Sequence, residues 1–160
     1  MKTTILGVSF SSRMLGLAVV QSDTLIDYSV KLFKESWSSV KLDHILSSLT
    51  SAIDNYNITD MVLSIPPINY QAGPFQELWI EIAALGHTKA LNLKMYRQGE
   101  LQAFCGYEER MTRKSLMESV IKWYPELESF YKREVRNKNK YYHKLFEAVA
   151  VATLYLHQKE

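Results

Sequence analysis

The spacing of apolar residues changes several times along this chain, and each change marks an element. Residues 3–9 and 14–21 are short apolar runs rich in β-branched side chains, bounded by Ser, Gly and Arg, and they predict two adjacent antiparallel strands. In residues 25–34, Ile26, Tyr28, Val30 and Leu32 alternate with polar neighbours, the pattern of a third strand with one solvated face. The period then becomes helical: Val40, Leu42, Ile45, Leu46, Leu49, Ala52, Ile53 and Tyr56 share a face over residues 40–56. Residues 60–65 return to a short apolar strand stopped by Pro66 and Pro67. A strand that follows a helix predicts a right-handed crossover onto a parallel neighbour.

A second helix is predicted from Gly73-Pro74, where proline suits the first turn, through Phe75, Leu78, Trp79 and Ile82 to a stop at Gly86. Residues 91–96 predict a fifth strand. Thr112 is placed to cap a helix whose Leu116, Met117, Val120 and Ile121 form a stripe before Pro125 ends it. A basic loop follows, the candidate mobile region of the chain. The last helix, residues 141–157, is expected to bury Leu145, Phe146, Val149, Ala150 and Thr153.

At 160 residues the chain is expected to form a single domain over 1–160, long enough to bury roughly two thirds of its unfolded surface. No apolar run approaches the roughly 20 residues that span a bilayer, and the opening residues lack the apolar stretch and cleavage site of a secretory leader. A cytoplasmic protein without a membrane partner is the expectation. The single cysteine, Cys105, flanked by Phe104 and Gly106, reads as a small buried hydrophobe and not as a nucleophile.

Charge alters the picture more than composition does. The formal net charge is only +2, yet residues 89–144 hold 13 Lys and Arg against 7 Asp and Glu, while residues 1–88 hold 5 against 8. Residues 131–144 interleave six basic side chains with Tyr131, Tyr141 and Tyr142. Such a segment suits a polyanion, although a solvated loop with no partner has the same composition.

The motifs narrow the fold. Three strands, a helix, a strand, a helix, a strand and terminal helices resemble the RNase H-like fold: an α/β, three-layer architecture with a five-stranded mixed sheet, its first three strands antiparallel, flanked by helices. Ile5-Leu-Gly-Val-Ser-Phe-Ser-Ser-Arg13 with Leu15-Gly-Leu-Ala resembles the opening hairpin of the RuvC-type Holliday-junction resolvases, and the resemblance places Ser9 where that family has its first catalytic Asp. Met61-Val-Leu-Ser-Ile65 is similar to the family's fourth strand, with Ser64 at the catalytic Glu. Thr112-Arg-Lys-Ser-Leu-Met-Glu-Ser-Val resembles the family's Lys-containing helix start. His143-Lys-Leu-Phe-Glu-Ala-Val-Ala-Val-Ala152 resembles its final helix, with Glu147 at an Asp position and Lys144 where another Asp or a His is usual.

The reaction this resemblance implies is phosphodiester hydrolysis by two Mg²⁺ ions about 4 Å apart. Hard dications need several carboxylate oxygens, and Glu147 is the only acid at the four positions. The expectation is a catalytically degenerate protein that binds structured or branched nucleic acid, DNA included, through Arg110, Arg113, Lys114, Lys132, Arg133, Arg136, Lys138, Lys140 and Lys144, with Tyr131, Tyr141 or Tyr142 stacking on bases. No metal or other cofactor is expected. Lys144 is expected to pair with Glu147 in the place of a metal.

Two alternatives stay open. One is a protein-interaction module, with the family's tendency to form homodimers and an apolar surface built from Trp37, Trp79 and Trp123. The other is an active nuclease using Mg²⁺ or Mn²⁺, with ligands relocated to His143, Glu147 and Glu77 or Glu81. Against that second alternative, a His at the start of a helix beside a basic loop is expected to face solvent or a phosphate.

Overall fold

Alternation along β1 (Ile5–Phe10) decides the layering. Leu6, Val8 and Phe10 enter one core, Ile5 enters a second on the opposite face, and all six residues of the strand are buried. A strand buried on both faces needs cover on both sides. The computed structural model describes residues 2–66, 73–105, 112–138 and 140–159. β2 (Met14–Gln21) and β3 (Thr24–Leu32) follow β1 as antiparallel neighbours, joined by a tight turn in which Ser22 and Asp23 both take positive φ. Two such residues match the right-handed twist of the flanking strands.

Helix α1 (Ser39–Tyr56), capped by the Ser38 side chain, crosses to β4 (Asp60–Ile65), which lies parallel to β1. Helix α2 (Pro74–Thr88) crosses to β5 (Asn92–Arg97), parallel to β4, and the five-stranded sheet has the order β3-β2-β1-β4-β5. This is the mixed sheet expected from the sequence. Helices α1 and α2 cover the face bearing Leu6, Val8 and Phe10. The other face is covered by α6 (His143–Lys159), with α3 (Gln98–Phe104), α4 (Arg113–Trp123) and α5 (Glu128–Arg136) around it.

The seating of α6 on the sheet positions everything that follows. A Cβ at Gly7 would come 2.1 Å from the Ala148 carbonyl oxygen, and one at Gly16 would come 2.1 Å from that of Lys144. Only glycine lets the helix backbone lie directly on β1 and β2. At its far end α6 is tied down by Asp60, whose buried carboxylate accepts hydrogen bonds from Thr59 Oγ1 at 2.6 Å, Lys159 Nζ at 3.0 Å, Asn92 Nδ2 at 3.3 Å and the Tyr155 hydroxyl. Burial pushes this carboxyl up, but the bonds from Thr59, Tyr155 and Lys159 outweigh it and hold its pKa below the ordinary 3.8.

Several expectations need correction. The basic loop is half helix: α5 covers residues 128–136 because Leu127, Phe130, Tyr131 and Glu134 fall at i, i+3, i+4 and i+7 and turn inward together. Glu134 hid this stripe, being a buried acid at an apolar position. Helix α2 does not stop at Gly86 but runs to Thr88, with Gly86 buried against Met61 and Leu93. The third strand ends at Leu32, and both Ile26 and Leu32 of its expected apolar face are exposed, since β3 is an edge. Trp37 and Trp79 pack in one core and Trp123 in the other, so the three tryptophans lie on opposite sides of the sheet and form no common surface.

Candidate functional site

Sheet order reverses between β1 and β4, and in open α/β sheets such a reversal leaves a crevice beyond the carboxyl ends of the parallel strands. Here it is a cleft of about 880 Å³. Ser9 and Ser64 follow Val8 and Leu63, the last pair between β1 and β4, so the two serines lie side by side near the ends of adjacent strands on the same face. Helix α6 begins above them, and the glycine contacts fix its height.

Three side chains converge on one oxygen. Glu147 Oε1 accepts from the Ser9 hydroxyl at 3.0 Å and from Lys144 Nζ at 3.1 Å, and His143 Nε2 lies 3.3 Å from the same atom. Glu147 is buried, and the side chains of His143 and Lys144 keep only 15% and 23% of their exposure. Burial pushes the Glu147 carboxyl up, yet His143, Lys144 and the bonds from Lys144 and Ser9 overcome it, leaving the pKa below the ordinary 4.5. Burial likewise dominates at His143 and, with Lys144 and Arg113 nearby, holds it below its ordinary 6.5 against the pull of Glu147 and Glu134. With Nε2 assigned the proton it offers to Glu147, His143 Nδ1 is a buried acceptor with no hydrogen-bond partner among the described residues. Of the two expectations for His143, solvent or a phosphate, the first is corrected: burial against Glu147 wins over proximity to the basic segment.

The cleft around this cluster is lined by Ser11 and Ser12 after β1, Pro74 and Phe75 of α2, Gln98 of α3, Thr112 and Arg113 of α4, and the His143–Lys144 start of α6. Thr112 caps α4 as its sequence position predicts, in a reciprocal pair with Ser115. Ser11, Ser12 and Gln98 were not singled out in the sequence. For the two serines the one signal is the small-residue turn closing the first strand; Gln98, at the start of α3, has none. Glu77, offered as a relocated ligand, instead accepts from Trp37 Nε1 at 3.0 Å. Among the described residues no group of three or more His, Cys, Asp or Glu side chains is arranged to hold a metal ion.

No family model matches the sequence, and no curated protein matches it. Solved structures do. Thermus thermophilus RuvC aligns with a TM-score of 0.73 at 12% identity over 98% of this chain and 97% of its own. The same protein in complex with a Holliday-junction substrate aligns at 0.72 and 11%, over 98% and 96% of the two chains. Fowlpox virus resolvase, in complex with Holliday-junction DNA, aligns at 0.62 and 13%, over 98% and 99%. The chain has a RuvC-like RNase H fold.

On this RuvC-like frame the basic residues fall into two groups. Arg113 and Lys114 are exposed on the first turn of α4, with Arg113 in the cleft wall. Lys132, Arg133 and Arg136 are exposed on α5, and Lys138 and Lys140 on the segment leading into α6. Lys140 Nζ donates to the Glu134 carbonyl at 2.7 Å, and Glu134 Oε1 accepts from Tyr141 N–H at 2.8 Å. The basic segment thus runs directly into the α6 end of the cleft. Arg110 lies outside the described residues. Tyr131, Tyr141 and Tyr142 are half-buried, bonded to Glu118, bonded to the Val30 carbonyl and packed on Phe130 respectively. Cys105 is half-buried, and burial raises its thiol pKa against a hydrogen bond with Ser119, the opposite of an activated nucleophile. No helix among the described residues is long and apolar enough to cross a membrane.

Proposed function

We propose that this protein binds structured or branched nucleic acid on a RuvC-like frame and does not cleave it by the two-metal route. The observation that supports this is Glu147: the one carboxylate at the four family positions is already engaged by Ser9, Lys144 and His143. Fit decides against a metal pair. Two Mg²⁺ ions require several hard anionic oxygens, and here two of the four positions hold neutral hydroxyls and a third holds an ammonium. A dication about 4 Å from a lysine ammonium is opposed by about 8 kcal/mol at an effective dielectric of 20, and one carboxylate at the same distance attracts it by as much, so the pair supplies no net charge for even one of two ions.

The basic residues of α4, α5 and the α6 approach supply the attraction for a polyanion. The test uses a four-way DNA junction. Binding is expected to weaken steeply between 50 and 200 mM salt, with no cleavage in Mg²⁺ or Mn²⁺. Cleavage would show that ligands are recruited from elsewhere and overturn the degenerate reading. Loss of all binding at low salt would favour a protein-interaction role, for which the open edges β3 and β5 are the available surfaces.

A further inference from the structure

The cleft has the charge of an anion site. Among the described residues its wall carries two cationic side chains, Lys144 and Arg113, against one carboxylate, Glu147, and that carboxylate is occupied by three neighbours. Around them stand hydroxyls from Ser11, Ser12, Ser64 and Thr112. The first turns of α2, α4 and α6 line the same space, and the amino ends of helices favour negative charge. A lysine ammonium has three N–H donors, and Glu147 takes one of Lys144's. Arg113 presents a planar fork suited to phosphate oxygens.

Resting on the nucleic-acid reading above, we infer that this cleft holds a backbone phosphate of the bound strand directly, through Lys144 and Arg113, with no divalent cation between protein and phosphate. Lys144 has two tasks in this arrangement. It neutralises Glu147, which would otherwise repel the phosphate, and it turns the same ammonium toward the ligand. Ser64, which stands where a carboxylate would bind a metal, offers an O–H donor to an anion, while the one hydroxyl proton of Ser9 is committed to Glu147. Phe75, Ile65 and Leu116, all buried, close the inner wall of the cleft. At about 880 Å³ the cleft lies within the ~300–1,000 Å³ of small-ligand sites, so a dinucleotide is a fitting probe.

The test is an NMR titration of the full chain with a 5′-phosphorylated thymidine dinucleotide in EDTA, repeated in Mg²⁺, beside junction binding under the same conditions. The expected result is amide shifts at Ser9–Ser12, Arg113 and Lys144 in EDTA, with an affinity that Mg²⁺ changes by less than about twofold. Arg113→Ala, at an exposed position whose loss leaves the fold intact, and Lys144→Met are each expected to weaken the dinucleotide about tenfold or more, the worth of a charge-assisted hydrogen bond. Lys122→Ala, at the far end of α4, leaves it unchanged.

Inorganic phosphate, titrated in parallel, is expected to bind at least about tenfold more weakly, because it lacks sugar and base. Equal affinity would mean a site for free phosphate and overturn the assignment to a strand. Binding that appears only with Mg²⁺, or shifts confined to α5, overturns the inference. A junction that binds while the dinucleotide does not defeats this inference and leaves the proposed function standing; if neither binds, both fall.

Discussion

Glu147 Oε1 is asked to accept from a hydroxyl, an ammonium and an imidazole at once, and that crowding determines what each substitution does. Lys144→Met leaves a buried carboxylate with two neutral donors. We expect a loss of about 1–3 kcal/mol, below the 3–5 kcal/mol of a fully buried pair because the lysine is partly exposed. Glu147→Gln removes the charge that needs compensation, so the double variant should cost less than the sum of the singles by about 1 kcal/mol or more. Urea unfolding of the four proteins measures this, and strict additivity would mean that the two side chains do not interact in solution. Ser9, Ser64 and Lys144 could be named from the sequence because motif order places them. His143 could not be oriented from it, since burial by α4 and α5 is not written in the residues around it. Thr112 could be read because a cap is local, whereas Ser11, Ser12 and Gln98 enter the cleft only through tertiary placement.

Among the elements, α6 bears the most. Its backbone rests on glycines of two strands, with no space for a methyl group at either contact. Gly16→Ala would push a Cβ into the Lys144 carbonyl, and Gly7→Ala into that of Ala148. Neither obstacle is a flexible side chain. We expect each to cost about 3 kcal/mol or more, a fall of roughly 10 °C in Tm for a chain of this size, measured by thermal unfolding. A wild-type Tm would place α6 farther from the sheet. The central strands and α6 were legible because elements buried on both sides read as nearly continuous apolar runs. Helix α5 was not, because Glu134 occupies a core position of its stripe, and α3 was not, because its seven residues bury only Leu101.

At the scale of the whole molecule, stability should depend on pH in two steps. His143, Glu147 and Asp60 all have folded pKa values below their ordinary ones. As pH falls, the unfolded chain therefore binds protons first, and stability that is complete above about pH 7 is lost on acidification. The first loss begins near pH 6.5 with His143, which faces Glu147 and Lys144 on α6, Arg113 on α4 and Glu134 on α5. The second begins below about 4.5 with the carboxylates. His143→Gln keeps a donor toward Glu147 but cannot titrate, so its unfolding free energy should stay flat between pH 5 and 7 where that of the parent declines. An unchanged slope would mean that His143 is not the group responsible.

The contact of α6 with Gly7 and Gly16 also bears on how such a protein arises. Main chain meets main chain there, so the places of residues 9, 64, 144 and 147 are set by atoms common to every amino acid. Side chains at those places can be exchanged one at a time without unseating the helix. What the cleft holds can therefore be altered at these four places without first having to rebuild the cleft.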